Sequence, residues 1–419
     1  MTISANPVRG TRDYLPKEMR LREAMQNIIL NVYQEAGFQR IHTPILEDIE
    51  RLDKSDGGEN LNLIFKILKR GQKLDLTKEN LTENDLADAG LRFDLTMPLS
   101  RYYANNRAEL RMPFKVIQID QVFRAERPQK GRLREFFQCD IDIIGDESSR
   151  AETELIHTTA KALKALGFTD FTVRINDRRI LTGLILTAGF QPEDVGSVCI
   201  TFDKLDKIGA EGVKKELLEK GYPENVVEKF AGSLLAGGIS DLSAAGELCG
   251  NPEAAAGLAA IMDRAKTLAA GSYNVEYDPS LVRGMGYYTG TIFEIASPKF
   301  KSSIAGGGRY DKMIGKYLGE DIPAVGFSIG FERIFEILSE SEEIPFALGK
   351  DRLALLYNAE DDFIEVIKKA EELRAEGYAV ATMVKAKKLG KQFTNLEKDG
   401  FLGAHILGEE GIKIFGARE

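Results

Sequence analysis

The chain is predicted to fold as an α+β protein: an antiparallel-sheet domain interrupted by a helical insertion, followed by a small α/β domain. Three observations predict it. Long alternating runs recur on both sides of a helix-rich, loop-rich stretch between about Asp177 and Gly271. Two of those runs are joined by a long, basic, glycine-containing loop, as in a hairpin. After Asp351 the rhythm changes to strands alternating with helices.

In chain order, "KEMRLREAMQNIILNVYQEAGF" places Met19, Leu21, Met25, Ile28, Ile29 and Val32 at spacings near three and four, an amphipathic helix closed by Gly37. "QRIHTPILED" alternates and then meets Pro44, which predicts a strand at an edge or interface. Charges dominate from Arg51 to Leu91, and strands there should be short. "LRFDLTMPLSRYYANN" begins extended and is expected to turn helical after Pro98. "FKVIQIDQVFR" and "REFFQCDIDIIG" then form a hairpin around "AERPQKGRL".

A helix near Ala151–Leu166 and a strand "FTVRIN" precede the helical stretch. Strands return with "YNVEYDP", "YYTGTIFEIA" and "SSIAGGGRYD", so the helical stretch reads as an insertion into a sheet domain. The expected divisions are residues 1–176 and 272–345 for the sheet domain, 177–271 for the insertion and 351–419 for the terminal α/β domain.

At 419 residues the chain is long enough for several cores. A net charge of −9 argues against coating nucleic acid through the overall field, so any such contact must be local. Cys139, Cys199 and Cys249 are far apart and unpaired in number, which points away from a disulfide framework or a zinc site and toward a reducing cytoplasm. No run of about 18 apolar residues would span a membrane. Three isolated histidines show no metal spacing.

Four constellations could carry chemistry. The hairpin loop crowds Arg124, Arg127, Lys130, Arg132 and Arg134, and the strand after it puts Gln138, Asp140 and Asp142 on one face. Arginine forks beside a carboxylate row suit an anionic group next to a cationic or hydrogen-bonding one; a solvated sheet face would carry the same alternation. "SLVRGMGYYTGTIFE" gathers Arg283, Gly284, Gly286, Tyr287 and Tyr288, either a ligand wall or a turn before a core strand. The glycines of "IAGGGRYDKMIG" suit a backbone shelf under a ligand, though a tight turn explains them in isolation. In "IPAVGFSIGFERIFEIL" a glycine-punctuated strand runs into a helix carrying Glu332 and Arg333.

In this order the four segments resemble the class II aminoacyl-tRNA synthetases, specifically the histidyl-tRNA synthetase family. "VRGTRDYLP" resembles its N-terminal signature, "GFQRIHTPILED" its first class motif, "FRAERPQKGRLREFFQ" its second and "GFSIGFERI" its third. "LVRGMGYYTGTIFE" and "AGGGRYD" resemble the motifs that set the histidine enzymes apart, and "FDLTMP", "INDRRILTGLI" and "FDKLDKIG" extend the likeness over almost the whole chain.

The resemblance implies a ligase that condenses L-histidine with ATP, with Mg²⁺ accompanying the nucleotide, and passes the acyl group to tRNA(His). It implies a cytoplasmic homodimer with no membrane association. Arg124 and Arg283 are expected at the α-phosphate as the catalytic pair, and Arg132 and Arg333 at the β- and γ-phosphates. Asp94 and Thr96, with Gln138, should take the α-ammonium, and Asp142 and Tyr288 the imidazole nitrogens. Tyr287 and Tyr310 should line the pocket.

Two features depart from the pattern. Gly286 stands where the family usually has an acidic residue, and the terminal domain is short for an anticodon-binding domain and lacks its final signature. Lys385, Lys387, Lys388 and Lys391 are candidates for RNA phosphate, although from Asp351 onward eleven basic residues face thirteen acidic ones. Two further readings are a noncatalytic paralogue that senses histidine as the regulatory subunit of ATP phosphoribosyltransferase, and a histidine-adenylating enzyme without a tRNA acceptor.

Overall fold

The computed structural model of the protein describes residues 3–54, 58–129, 131–235, 239–283, 286–341 and 343–416. Lys130 and Gly284 lie outside the described residues. The chain forms two compact units, one made of residues up to Arg12 together with Gln26–Ser341, the other of Asp13–Met25 and the residues after Ser341.

The first unit is built on an eight-stranded sheet. In chain order its strands are β1 (Gln39–Arg40), β5 (Phe114–Phe123), β6 (Glu135–Ile144), β7 (Thr172–Asp177), β8 (Asn274–Tyr277), β9 (Thr291–Ser297), β10 (Phe300–Arg309) and β11 (Ala324–Gly330). They lie side by side as β1-β5-β6-β11-β10-β9-β7-β8, antiparallel except for the outermost pairs β1/β5 and β7/β8. A separate three-stranded sheet joins β2 (Leu46–Asp48), β4 (Ala87–Leu91) and β3 (Lys66–Leu68).

The sequence "QRIHTPILED" is thus two short strands. Pro44, which cannot donate to a ladder, falls in the break where the chain leaves one sheet for the other. Helix Thr96–Asn106 begins two residues earlier than the proline suggests. The Asp94 carboxylate accepts a hydrogen bond from the Met97 amide at 3.1 Å, and Pro98 occupies a first-turn position that has no intrahelical N–H to lose.

The hairpin of β5 and β6 aligns Val116 with Asp142, Gln118 with Asp140 and Asp120 with Gln138. Between β7 and β8 the chain is helical, from Arg178–Ala188 through Pro252–Ala269. Helix Arg178–Ala188 is started by the Asp177 side chain, which accepts from the Arg179 amide at 2.8 Å, and is stopped by Gly189 in the left-handed region.

The three consecutive glycines of "IAGGGRYDKMIG" lie inside β10, in keeping with the strand read in "SSIAGGGRYD" and not with the tight turn that would explain them in isolation, and close packing is the reason for glycine there. A Cβ on Gly307 would strike the Gly326 carbonyl oxygen, and one on Gly308 would come within 2.7 Å of the Thr291 oxygen and 2.8 Å of the Tyr288 ring. Extended glycine here clears space above the sheet.

The second unit carries strands β12 (Arg352–Tyr357), β13 (Ala379–Val384), β14 (Gly403–Ile406) and β15 (Lys413–Ile414) in the order β13-β12-β14-β15, parallel except for the last pair. Helices Phe363–Ala375 and Leu389–Lys398 supply the crossovers that parallel pairing requires. Ala354, Leu356, Leu396, Phe401 and Ala404 form one buried cluster of this unit.

Candidate functional site

The site is a trough on one face of the large sheet. Gly326, Ser328 and Gly330 of β11 stand opposite Asp142, Asp140 and Gln138, while Gly308 and Gly306 of β10 stand opposite Gly326 and Ser328. Directly opposed residues of antiparallel strands share a face, so a row of polar side chains adjoins a floor almost without side chains. The resulting cleft, of about 440 Å³, brings together Asp94, Thr96, Arg124, Gln138, Asp142, Arg283, Tyr287, Tyr288 and Tyr310.

The polar row is not a solvated face. Asp140 and Asp142 are buried, and so are Asp94 and Thr96. Asp142 Oδ1 accepts the Tyr310 hydroxyl at 2.7 Å, while its Oδ2 is buried without a partner. Asp94 Oδ2 and Gln138 Oε1 are likewise buried and unpartnered. Three acceptors therefore point into the cleft with nothing to accept, which selects for a ligand rich in N–H donors.

Electrostatics sharpen that demand. Burial pushes Asp94 up to about 6 against the Met97 amide and Arg124, and pushes Asp140 up to about 7. Asp142 is held well above the carboxylate range by burial and by its neighbour Asp140. A cationic or proton-accepting ligand relieves this repulsion. Tyr287 packs its ring on Tyr288 at 4.8 Å and edge-on to Tyr310 at 6.0 Å, giving the cleft aromatic walls.

At the other end stand the arginines. Arg124 donates through Nε to the Phe93 carbonyl oxygen at 3.0 Å, and its guanidinium lies 5.1 Å from the Phe136 ring centroid. Arg283 is held by Glu294 at 3.1 Å and keeps a buried, unpartnered Nε. Burial favours losing its proton, but the nearby Tyr288, Glu294 and Asp203 outweigh that and raise its pKa. A Cβ on Gly306 would fall within 2.6 Å of the Arg283 Cζ, so Gly306 is what lets this guanidinium lie on the sheet.

Arg132 and Arg333 do not line the cleft. Arg132 pairs with Glu126 at 3.1 Å, and Arg333 donates to the Ser303 carbonyl oxygen. Burial, then Arg132 and Arg283, lower Arg333 to about 10, so the cationic groups crowd one end. The loop tip is fixed there as well: Gly131 is in the left-handed region, and its amide donates to Glu336 Oε1 at 3.0 Å. Gly286 is exposed.

Sequence reasoning placed Asp140 in the polar row by strand period without giving it a role of its own, and missed Ser328 and Glu294, although cross-strand register could have found Ser328 once β6 and β11 were paired. Among the described residues no group of three or more His, Cys, Asp or Glu could hold a metal ion, and Cys139 is buried on the sheet face opposite the row. No described helix is long and apolar enough to cross a membrane.

Residues 10–334 match the family model for histidyl-tRNA synthetase. The histidine–tRNA ligase of Leifsonia xyli subsp. xyli is 43% identical over 413 residues, covering 96% of this chain and 95% of that protein. That of Christiangramia forsetii is 34% identical over 96% of this chain and 92% of its own length. The histidyl-tRNA synthetase structure from Nostoc sp. PCC 7120 superposes with a TM-score of 0.76 at 27% identity, over 96% of this chain and 91% of that one. An ATP phosphoribosyltransferase regulatory subunit/histidyl-tRNA synthetase from Bacillus halodurans C shares the fold, with a TM-score of 0.75 at 21% identity. By the family model and by identity with its relatives over nearly the whole length, the chain belongs to the histidyl-tRNA synthetase family.

Proposed function

We infer that the protein is a histidine–tRNA ligase, which activates L-histidine with ATP and transfers it to tRNA(His). The observation that carries this is the pairing, in one cleft, of three buried unpartnered acceptors with two arginines. Histidine offers an α-ammonium and an imidazole as donors and a carboxylate to be placed among cations.

In this reading Asp94, Thr96 and Gln138 hold the ammonium, while Asp142 and Tyr288 take the imidazole nitrogens. Asp142, kept neutral by burial, can share its proton with a group of imidazole basicity, and an apolar analogue would leave it unpaired. Tyr287 and Tyr310 wall the pocket. A carboxylate oxygen of histidine attacks the α-phosphorus of ATP, the bond to pyrophosphate breaks, and histidyl-adenylate forms. A ribose hydroxyl of tRNA then attacks the acyl carbon and AMP leaves.

Neither step needs a protein nucleophile, so the protein's work is alignment and charge stabilisation. Arg124 and Arg283 serve the α-phosphate, and Arg132 and Arg333 the β- and γ-phosphates. Mg²⁺ would enter with ATP, since Mg²⁺ is commonly held by substrate phosphates and few carboxylates, and would neutralise charge on them. Residues 1–176 and 272–345 act as the catalytic core in this reading, 177–271 as the insertion and 351–419 as a short anticodon-binding-like domain. The protein works as a cytoplasmic homodimer.

The 43% identity to a named ligase favours this over a histidine-sensing regulatory subunit. Purified protein with Mg²⁺ should exchange pyrophosphate into ATP only when histidine is present, and should charge tRNA(His). Absence of exchange refutes catalysis; exchange without charging leaves adenylation alone.

A further inference from the structure

We propose that Asp140 is a positioning residue that fixes which end of the Gln138 amide faces the substrate ammonium. The inference rests on the histidine site assigned above, in which Gln138 takes the ammonium and Asp140, which lines the same cleft, is given no contact with the ligand.

Asp140 is buried on β6, directly opposite Ser328 on β11 and Gln118 on β5. The Gln138 Nε2 lies 3.4 Å from each oxygen of Asp140 and 3.2 Å from Ser328 Oγ. Its Oε1 is buried and has no partner. The amide is thus tethered by its donor end, with its acceptor end free for a ligand.

The two ends of a glutamine amide are nearly identical in size and opposite in function. An ammonium has only donors, so the carbonyl end can hold it and the NH₂ end repels it. Ser328 does not select between them, because a hydroxyl both donates and accepts. An ionised carboxylate only accepts, so a flipped amide would set two acceptors against each other beside Asp140. Gln118, the other amide nearby, is committed elsewhere: its Nε2 donates to the Leu95 carbonyl oxygen at 3.0 Å, and its Oε1 accepts from Thr43 at 3.2 Å. Among these neighbours Asp140 is the one group whose chemistry permits a single orientation.

The test is histidine-dependent pyrophosphate exchange by the full-length protein at about pH 8, where Asp140, pushed up to about 7 chiefly by burial, is ionised. In Asp140→Asn the new amide can donate or accept, so the constraint is lost. The KM for histidine should rise about 10–100-fold, the scale of one hydrogen bond to a charged group, while the KM for ATP stays within about threefold. Ser328→Ala should change the histidine KM less than about threefold.

The decisive arm is a double-mutant cycle. In a Gln138→Ala background, Asp140→Asn should add less than about twofold, because no amide remains to orient. An equal loss in both backgrounds overturns the proposal and makes Asp140 a direct charge on the ligand. No loss in the single variant overturns it too. Should Asp140→Asn fail to fold, Asp140→Ser, whose hydroxyl also accepts either end, replaces it in both backgrounds. If the wild-type protein shows no histidine-dependent exchange, it is the reading of the site that fails.

Discussion

Replacing Tyr310 by phenylalanine tests how the site reads imidazole. The hydroxyl is buried and donates to Asp142 Oδ1 at 2.7 Å, leaving Oδ2 for the ligand. Phenylalanine keeps the ring, which packs edge-on to Tyr287, and removes one donor. Once Asp142 has passed its proton to the imidazole, the Tyr310 hydroxyl donates to a charged acceptor, a bond that contributes about 1.5–3 kcal/mol, so histidine binding should weaken about 10–100-fold. The loss belongs in the KM for histidine, because the bond is made in both ground and transition states and lies at the end of the cleft away from the arginines. Exchange kinetics at saturating ATP separate the two parameters, and kcat should fall less than about threefold. A drop in kcat with unchanged KM would refute the reasoning, since Tyr310 would then act on the reacting phosphate rather than on the imidazole carboxylate.

Arg283→Ala should lower the activation rate about 10²–10³-fold, the scale of losing a transition-state donor, while calorimetric histidine affinity changes much less; equal losses would make it a plain binding residue. Gly306→Ala should reproduce most of that rate loss with an intact arginine, because the new Cβ occupies the guanidinium's place; unchanged exchange would refute it. Asp94 and Asp140 have folded pKa values raised above those of an unfolded chain, so the folded state holds their protons longer and these groups lower stability as pH rises from about 4 to about 7. Asp140→Asn should therefore melt at a higher temperature than the wild type at pH 8 and at a similar one at pH 4, with histidine absent. Equal melting at both pH values would count against the buried charge.

The hairpin, the insertion and the terminal α/β unit were legible because period and turn chemistry are local. The polar row Gln138, Asp140, Asp142 was visible from alternation alone, but its burial was not, since that depends on which strands flank β6. The strand through the glycines of β10 was legible, but the need for glycine was not: sequence shows conformational freedom, whereas here the neighbouring Gly326 carbonyl and Arg283 forbid a side chain. Arg132 and Arg333 were recognised through resemblance, and their offset from the cleft follows from partners far away in sequence, Glu126 excepted.

The floor of the cleft is defined by atoms that are missing. Gly306, Gly308 and Gly326 already have the smallest side chain there is, so no substitution at these three positions can deepen the mould; each can only fill it. Room for a larger amino acid has to come from the side chains around them, the largest being Tyr287, Tyr288 and Tyr310, and the last of these also steadies Asp142. Room for a new substrate and recognition of the old one are thus drawn from the same side chains, which makes the pocket easier to close than to retarget.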